Sequence, residues 1–105
     1  MSWKKLTIYT SEGVRWQHRP LYIELVEQAK KAGISGTFVA RGIEGYGAHH
    51  KVQTTNILAL ATDLPIEIKI IEQEDVITNF LPLVKKMVRE GVVILEDVKM
   101  IYYPE

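Results

Sequence analysis

The sequence predicts a single α+β domain spanning residues 1–105, with strands and helices in the order βαββαβ. Several short segments read as strands, most clearly where apolar and polar residues alternate. Two longer segments repeat apolar residues at helical spacing. A chain of 105 residues is long enough to bury one core and too short for a second domain.

The first half of the chain supplies a strand, a helix and a second strand. Lys4 to Tyr9 alternates as a half-buried strand does. Pro20 then stands where a first helical turn tolerates proline, and Gly33 is suited to end that helix. Thr37 to Arg41 is a short apolar segment that predicts the second strand. Apolar residues recur at helical spacing between Pro20 and Ala32, namely at Leu21, Tyr22, Leu25, Val26, Ala29 and Ala32.

The second half repeats the order strand, helix, strand. Residues 66–71, IEIKII, alternate clearly. Pro82 lies inside the following helix and should kink or divide it, and Gly91 should end it. Residues 92–103 then predict a final strand, bulged near Glu96 and Asp97. The acidic residues that open the second helix are Glu72, Glu74 and Asp75, and its apolar stripe is Val76, Ile77, Phe80, Leu81, Val84, Met87 and Val88.

This order is the ferredoxin-like arrangement, a four-stranded antiparallel sheet with two helices on one face. Right-handed crossovers place both helices on the same side, so the other face of the sheet has no cover within one chain. An apolar face of that kind usually finds a partner. Its predicted occupants are Tyr9, Val39, Lys69, Ile101 and Tyr103.

Composition excludes several classes of function. Lys plus Arg and Asp plus Glu both total 13, so no broad electrostatic footprint for nucleic acid or an anionic membrane is expected. The chain has no cysteine, which excludes disulfides, thiolate metal sites and a cysteine nucleophile. No apolar stretch approaches membrane-spanning length. We therefore expect a cytoplasmic protein without membrane insertion.

A glycine-rich stretch, RGIEGYGAHHKV at residues 41–52, follows the second predicted strand. About twenty residues separate the second and third strands, far more than a hairpin needs, and long loops are often functional. Glycines let backbone N–H groups converge on an anion. The spacing matches neither the Rossmann fingerprint nor a P-loop. From the residues alone, an ordinary turn and a ligand loop are equally supported.

Six segments between residue 9 and residue 103 are informative when taken together: YTSEGVRW, RPLYIELVEQA, RGIEGYG, DLPIEIKI, FLPLV and REGVVILEDVKMIYY. They resemble the uncharacterised PII-like signalling protein family, a distant relative of the nitrogen-regulatory PII proteins. The resemblance covers nearly the whole chain. It implies a ferredoxin-like homotrimer with a ligand cleft between subunits and a mobile loop, here Gly45 to Gln53.

The resemblance implies that true PII proteins direct a basic residue just after the glycine turn, and arginines at the end of the last strand, towards nucleotide phosphates. This chain has Val92 after Gly91, and Tyr102, Tyr103 and Pro104 at its end. An adenine nucleotide effector (ATP, ADP or AMP) or another anion would therefore need different cations. The candidates are Arg15, Arg41 and Lys51.

The candidate ligand-binding residues fall in two segments. In SEGVRW, the guanidinium of Arg15 could make bidentate contacts to a phosphate, and Trp16 could stack on a base. Trp16 could equally cap the core. Arg41 and Glu44 could form an ion pair at a strand end or contact the ligand. The full set is Ser11, Glu12, Arg15, Trp16, Arg41, Gly42, Glu44, Gly45, Tyr46, Gly47 and Lys51.

Metal binding, catalysis and RNA recognition have weaker support. His49 and His50 are adjacent and would point to opposite faces of a strand, so a metal site is not predicted. Ser11, a histidine and either Asp63 or Asp97 would supply the residue types of a catalytic triad, but the sequence lacks the context that would bring them together. Glu67 and Lys69 should occupy the face on which RNA-binding domains carry aromatics.

We therefore expect a non-catalytic, homotrimeric PII-like sensor. It binds a small anionic effector and signals to a target protein through the loop Gly45 to Gln53. The alternative is a small ferredoxin-like enzyme or a metal-responsive trimer on the same scaffold, because a fold alone cannot decide function.

Overall fold

The computed structural model describes residues 2–46, 52–54 and 63–103. Four long strands and two helices account for most of these residues, and the rest lie in two short hairpins and in turns. The strands are Trp3–Ser11 (β1), Arg15–Trp16 (β2), Arg19–Pro20 (β3), Gly36–Arg41 (β4), Glu44–Tyr46 (β5), Val52–Thr54 (β6), Pro65–Gln73 (β7) and Val92–Val98 (β8). The helices are Leu21–Lys31 (α1) and Glu74–Met87 (α2).

The four long strands form one antiparallel sheet in the order β4-β7-β1-β8. With α1 between β1 and β4 and α2 between β7 and β8, the order βαββαβ is confirmed, and with it the α+β ferredoxin-like class. The pairs β2–β3 and β5–β6 are additional hairpins outside the sheet. Both insert into connections near the same end of that sheet.

One face of the sheet and the two helices enclose the core. Cross-strand partners such as Leu6 and Ile70, or Ile8 and Ile68, lie on this face and are fully buried. The helices cover them with side chains spaced three or four residues apart, as the helical periodicity predicts. These are Leu21, Leu25 and Ala29 of α1, and Ile77, Phe80, Val84 and Met87 of α2.

The opposite, open face of the sheet differs from the prediction in three occupants. Val39 pairs with Ile68 and therefore lies on the helix side, while its neighbour Phe38 pairs with Lys69 on the open face and is 61% exposed. The prediction for Val39 was wrong because a shift of one residue exchanges the faces of a strand. Ile101 and Tyr103 follow the end of β8 and belong to no strand. Tyr9 and Lys69 lie on this face as expected.

The second helix and the last strand also differ from expectation. The helix continues through Pro82 as one element, and because Pro82 and Thr78 are both exposed, the carbonyl that loses its partner can face solvent. It ends at Met87, four residues before Gly91. The last strand pairs with β1 in an unbroken register without a bulge and ends at Val98.

Glu72 was expected to open the second helix but is the penultimate residue of the preceding strand, β7. Its side chain is 6% exposed and points into the end of the core. The carboxylate accepts hydrogen bonds from Ser35 N at 2.8 Å, Ser35 Oγ at 2.7 Å and Gln73 N at 2.8 Å. These three donors hold Glu72 in place and tie the start of β4 to the start of α2.

None of the helices in the described part of the chain is long and apolar enough to cross a membrane.

Candidate functional site

Most of the predicted ligand-binding residues meet at one end of the sheet, where β1 and β4 finish and β7 and β8 begin. We call this the cleft end. Ser11 pairs with Pro65 across β1 and β7, and Arg41 pairs with Ile66 across β4 and β7. The chain reaches this end of the sheet at the end of β1, at the end of β4 and again after α2. Residues far apart in sequence are thereby placed side by side.

The connection after β1 forms a compact turn and then the β2–β3 hairpin. Val14 N donates to Ser11 O at 3.2 Å, which reverses the chain. The hairpin tip holds Gln17 at φ 49° and His18 at φ 70°, and positive φ at both central residues is what a type I′ turn requires. Such angles cost non-glycine residues energy and cluster at functional sites. The turn orients Arg15 and Trp16 towards the end of α2.

A cleft of about 620 Å³ lies between this hairpin and the segment after α2. The exposed guanidinium of Arg89 stands over the ring of Trp16, with Cζ 5.9 Å from the ring centroid, a cation–π contact. Arg15 is also exposed, and its Nη1 donates to His18 O at 3.5 Å. The lining residues are Gly13, Val14, Arg15, Trp16, Gln17, Met87, Arg89 and Glu90.

This arrangement brings together chemistry that suits an anion with a flat group. Trp16 is half-buried and packs against the core with part of its ring, so it both caps the core and lines the cleft. Within the described residues, neither Arg15 nor Arg89 forms an ion pair with a carboxylate. Their guanidinium donors suit bidentate contacts to phosphate or carboxylate.

Six of the eight lining residues were not among the predicted ligand contacts, and Arg89 is the cation among these six. It follows α2 by two residues, where neither periodicity nor a motif distinguishes it from other exposed cations.

The second predicted segment lies beside the cleft. Arg41 Nη2 is 2.7 Å from Glu12 Oε2, so its described ion-pair partner is Glu12, whereas Glu44 had been predicted. The reason is that the turn after β1 brings Glu12 next to the end of β4. Gly42 N donates to Pro65 O at 2.7 Å, and a Cβ at Gly42 would approach Pro65 Cγ to 2.9 Å. Glycine is therefore needed where the chain leaves β4.

The predicted loop Gly45 to Gln53 begins and ends in a paired segment. Glu44, Gly45 and Tyr46 of β5 pair with β6 in antiparallel register, so the backbone at the base of this loop is a hairpin. Gly47 and Lys51, together with His49 and His50, lie outside the described residues. Within the part of the chain that the structure describes, no group of three or more His, Asp or Glu side chains is placed to hold a metal ion.

Comparison with known proteins identifies relatives over almost the whole chain. The model of the DUF190 family, described as "Uncharacterized ACR", matches residues 3–100. A UPF0166 protein of Aquifex aeolicus is 37% identical over 99 residues, which cover 94% of this chain and 93% of that protein. A UPF0166 protein of Methanocaldococcus jannaschii is 33% identical over 95 residues, or 90% of this chain and 87% of that protein.

Similar solved structures have the PII-like fold. CPII, a nitrogen regulatory PII-like protein from Thiomonas intermedia K12, was solved bound to ADP, AMP and bicarbonate. It superposes with a TM-score of 0.63 at 20% identity, covering 93% of this chain and 87% of CPII. The B. subtilis GlnK–ATP complex gives a TM-score of 0.56 at 13% identity, covering 92% of this chain and 82% of GlnK. The expected PII-like fold is confirmed.

Proposed function

The chain belongs to the DUF190 family, and from that premise we propose that it is a non-catalytic PII-like regulatory protein. It binds a small anionic effector, an adenine nucleotide, at the cleft end of the sheet. It works as a cytoplasmic homotrimer in which each cleft is completed by a neighbouring subunit. The loop Gly45 to Gln53 presents the bound state to a target protein.

The observation that carries this proposal is the grouping of Trp16 with two guanidinium groups in one cleft. An indole face stacks on a nucleobase, and such stacking contributes about 1–3 kcal/mol per base. Arg15 and Arg89 can then bind phosphate oxygens, since each retains donors that no described carboxylate occupies. Similarity to a fold that has been solved with ADP, AMP and ATP in other proteins supports the same ligand class.

The other candidate residues have supporting parts in this proposal. Glu12 and Arg41 are engaged with each other, and Gly42 uses its N–H within the fold, so these groups shape the site beside the cleft. Ser11 ends β1 directly before the turn. We call the loop Gly45 to Gln53 the signalling loop. The remaining candidates belong to this loop or to its base, and they are Glu44, Gly45, Tyr46, Gly47 and Lys51.

Nucleotide binding is tested by calorimetric titration with ATP, ADP and AMP. We expect saturable binding and a higher melting temperature in its presence, because a ligand of the folded state stabilises it. Arg89→Ala should weaken binding roughly tenfold or more, as expected for losing a charge-assisted hydrogen bond of about 1.5–3 kcal/mol. Trp16→Leu should weaken binding by a similar factor.

Trp3→Phe is the matched control, because Trp3 lies at the opposite end of the sheet. Its ring is 5.4 Å from that of Tyr103, centroid to centroid. We expect its nucleotide affinity to equal that of the wild type. Absence of heat and of thermal stabilisation with all three nucleotides at millimolar concentration would refute the nucleotide part of the proposal.

The proposed homotrimer is supported by the open face of the sheet. Exposed apolar side chains from three of its strands form a patch that one chain cannot cover. They are Tyr9, Phe38, Val92 and Ile94. Native mass spectrometry should give a mass three times that of the 12.0 kDa chain. A mass of one chain at micromolar concentration would contradict it.

A further inference from the structure

The turn between β1 and the cleft is attached to both ends of the segment that carries the signalling loop. On one side, Arg41 Nη2 lies 2.7 Å from Glu12 Oε2, directly before that segment begins. On the other side, Glu12 N donates to Leu64 O at 2.8 Å and Gly13 N donates to Asp63 Oδ1 at 2.8 Å. Two consecutive residues therefore hold the chain where it leaves β4 and where it returns to β7.

The same two residues lead directly into the cleft. Gly13 lines it, followed without interruption by Val14, Arg15, Trp16 and Gln17. A Cβ at Gly13 would lie 2.9 Å from Asp63 Oδ1, so glycine at this position lets the Asp63 carboxylate approach the backbone. We call the residues directly before and after this segment, at the end of β4 and the start of β7, its two flanks. The flanks are also joined to each other, since Gly42 N donates to Pro65 O at 2.7 Å. A shift of the turn must therefore be shared by both flanks.

We propose that Glu12 and Gly13 are positioning residues that transmit occupancy of the cleft to the β5–β6 hairpin. This inference rests on the proposed function and adds a regulatory connection to it. A ligand that engages Arg15 and Trp16 fixes the turn that precedes them. The ion pair to Arg41 and the hydrogen bonds to Asp63 and Leu64 pass that change to the flanks, and so to the strands that the flanks carry.

ADP binding and the stability of the β5–β6 hairpin must affect each other by the same factor, because coupling between two sites is reciprocal. If ADP stabilises the β5–β6 hairpin through Glu12, then loss of Glu12 removes that stabilisation. The affinity for ADP then falls by no more than the factor by which hairpin protection is lost. This upper bound on the loss of affinity distinguishes a positioning residue from a direct ligand contact. Removing a direct contact can lower the affinity for ADP by more than hairpin protection changes.

The experiment measures ADP affinity by calorimetry and amide hydrogen exchange of Glu44–Tyr46 and Val52–Thr54 by NMR, on the same samples. In the wild type, ADP should slow exchange of these amides at least threefold. In Glu12→Gln, ADP should no longer slow exchange of these amides. The affinity for ADP should fall by no more than the factor by which ADP slows exchange in the wild type. The double variant Glu12→Arg with Arg41→Glu, which restores an ion pair of reversed polarity, should recover the slowing.

Three further variants control for nonspecific effects. Asp63→Ala removes the acceptor for Gly13 N–H and should lose the slowing, whereas Asp63→Asn keeps an acceptor oxygen and should retain it. Asp97→Asn breaks the ion pair with Lys4 at the opposite end of the sheet and should behave as the wild type.

The outcomes separate the two proposals. If the wild type does not bind ADP, the proposed function fails and the inference fails with it. If the wild type binds ADP but Glu12→Gln and Asp63→Ala keep the full slowing of exchange, only the connection through the turn is overturned. A fall in affinity that exceeds the lost protection would also overturn it, since Glu12 would then be a direct ligand contact.

Discussion

The two ends of the sheet carry opposite kinds of polar groups. At the end away from the cleft, which we call the clamp end, Glu72 is buried and its carboxylate accepts three hydrogen bonds from Ser35 and Gln73. At the cleft end, the exposed guanidinium of Arg89 lies over the half-buried indole of Trp16 and Arg15 lines the same cleft. Most donors of the two arginines have no described partner in the protein.

The difference shows which polar groups serve the fold and which are open to a ligand. Burial alone would raise the pKa of Glu72, but hydrogen bonds from Gln73 N, Ser35 Oγ and Ser35 N together outweigh burial and lower it. The clamp end therefore holds an ionised group whose bonding is complete. At the cleft end a bound anion could add hydrogen bonds without breaking any that the fold needs.

Glycines at the two ends sharpen this comparison and give the largest expected effect. Gly91 has φ +147°, and a Cβ there would lie 2.3 Å from Tyr9 O, which is backbone that cannot move aside. Gly91→Ala should therefore lower the free energy of unfolding by about 3 kcal/mol or more, through backbone strain and overpacking together. Chemical denaturation at a fixed protein concentration measures it.

Gly33 at the clamp end is the matched control. It also has positive φ, at +76°, but no atom lies within 4 Å of the position of its Cβ. Gly33→Ala should cost only the left-handed conformation, about 1 kcal/mol. Equal losses for Gly33→Ala and Gly91→Ala would show that the close approach of Gly91 to β1 does not distinguish the cleft end.

The sequence was sufficient for the fold because its core follows simple periods. Ile66, Ile68 and Ile70 alternate on one face of β7, and Leu21, Leu25 and Ala29 repeat along α1. Register was harder to predict. Val39 and Phe38 exchange faces with a shift of one residue, and only the pairing with β7 decides between them.

The site was predictable only in part. Arg15 and Trp16 were found through family resemblance, but their neighbour Arg89 is 73 residues further along the chain, and no local pattern reports such a contact. Glu72 was misplaced for a related reason. A glutamate just before a helix is typical of a helix N-terminus, and its burial depends on Ser35, which arrives from the end of α1.

A smaller expected effect tests the clamp end through its pH dependence. Glu72→Gln replaces one carboxylate oxygen by an amide donor, so either Gln73 N–H or the Ser35 donors lose their acceptor. The free energy of unfolding at neutral pH should fall by about 1–3 kcal/mol. Because the native pKa of Glu72 is lowered, its ionised form stabilises the fold above the ordinary glutamate range, and this contribution disappears as pH falls through the native pKa.

The stability difference between the wild type and Glu72→Gln should therefore be greatest at neutral pH and shrink towards acid pH, as read from denaturation curves at several pH values. Glu27→Gln makes the same change at an exposed position of α1 and should have little effect at any pH. A difference for Glu72→Gln that stays constant down to pH values well below the ordinary glutamate range would mean that the ionised carboxylate is not what the clamp end holds. The clamp end would then differ from the cleft end only in how its side chains pack, and not in holding an ionised carboxylate with all its hydrogen bonds made.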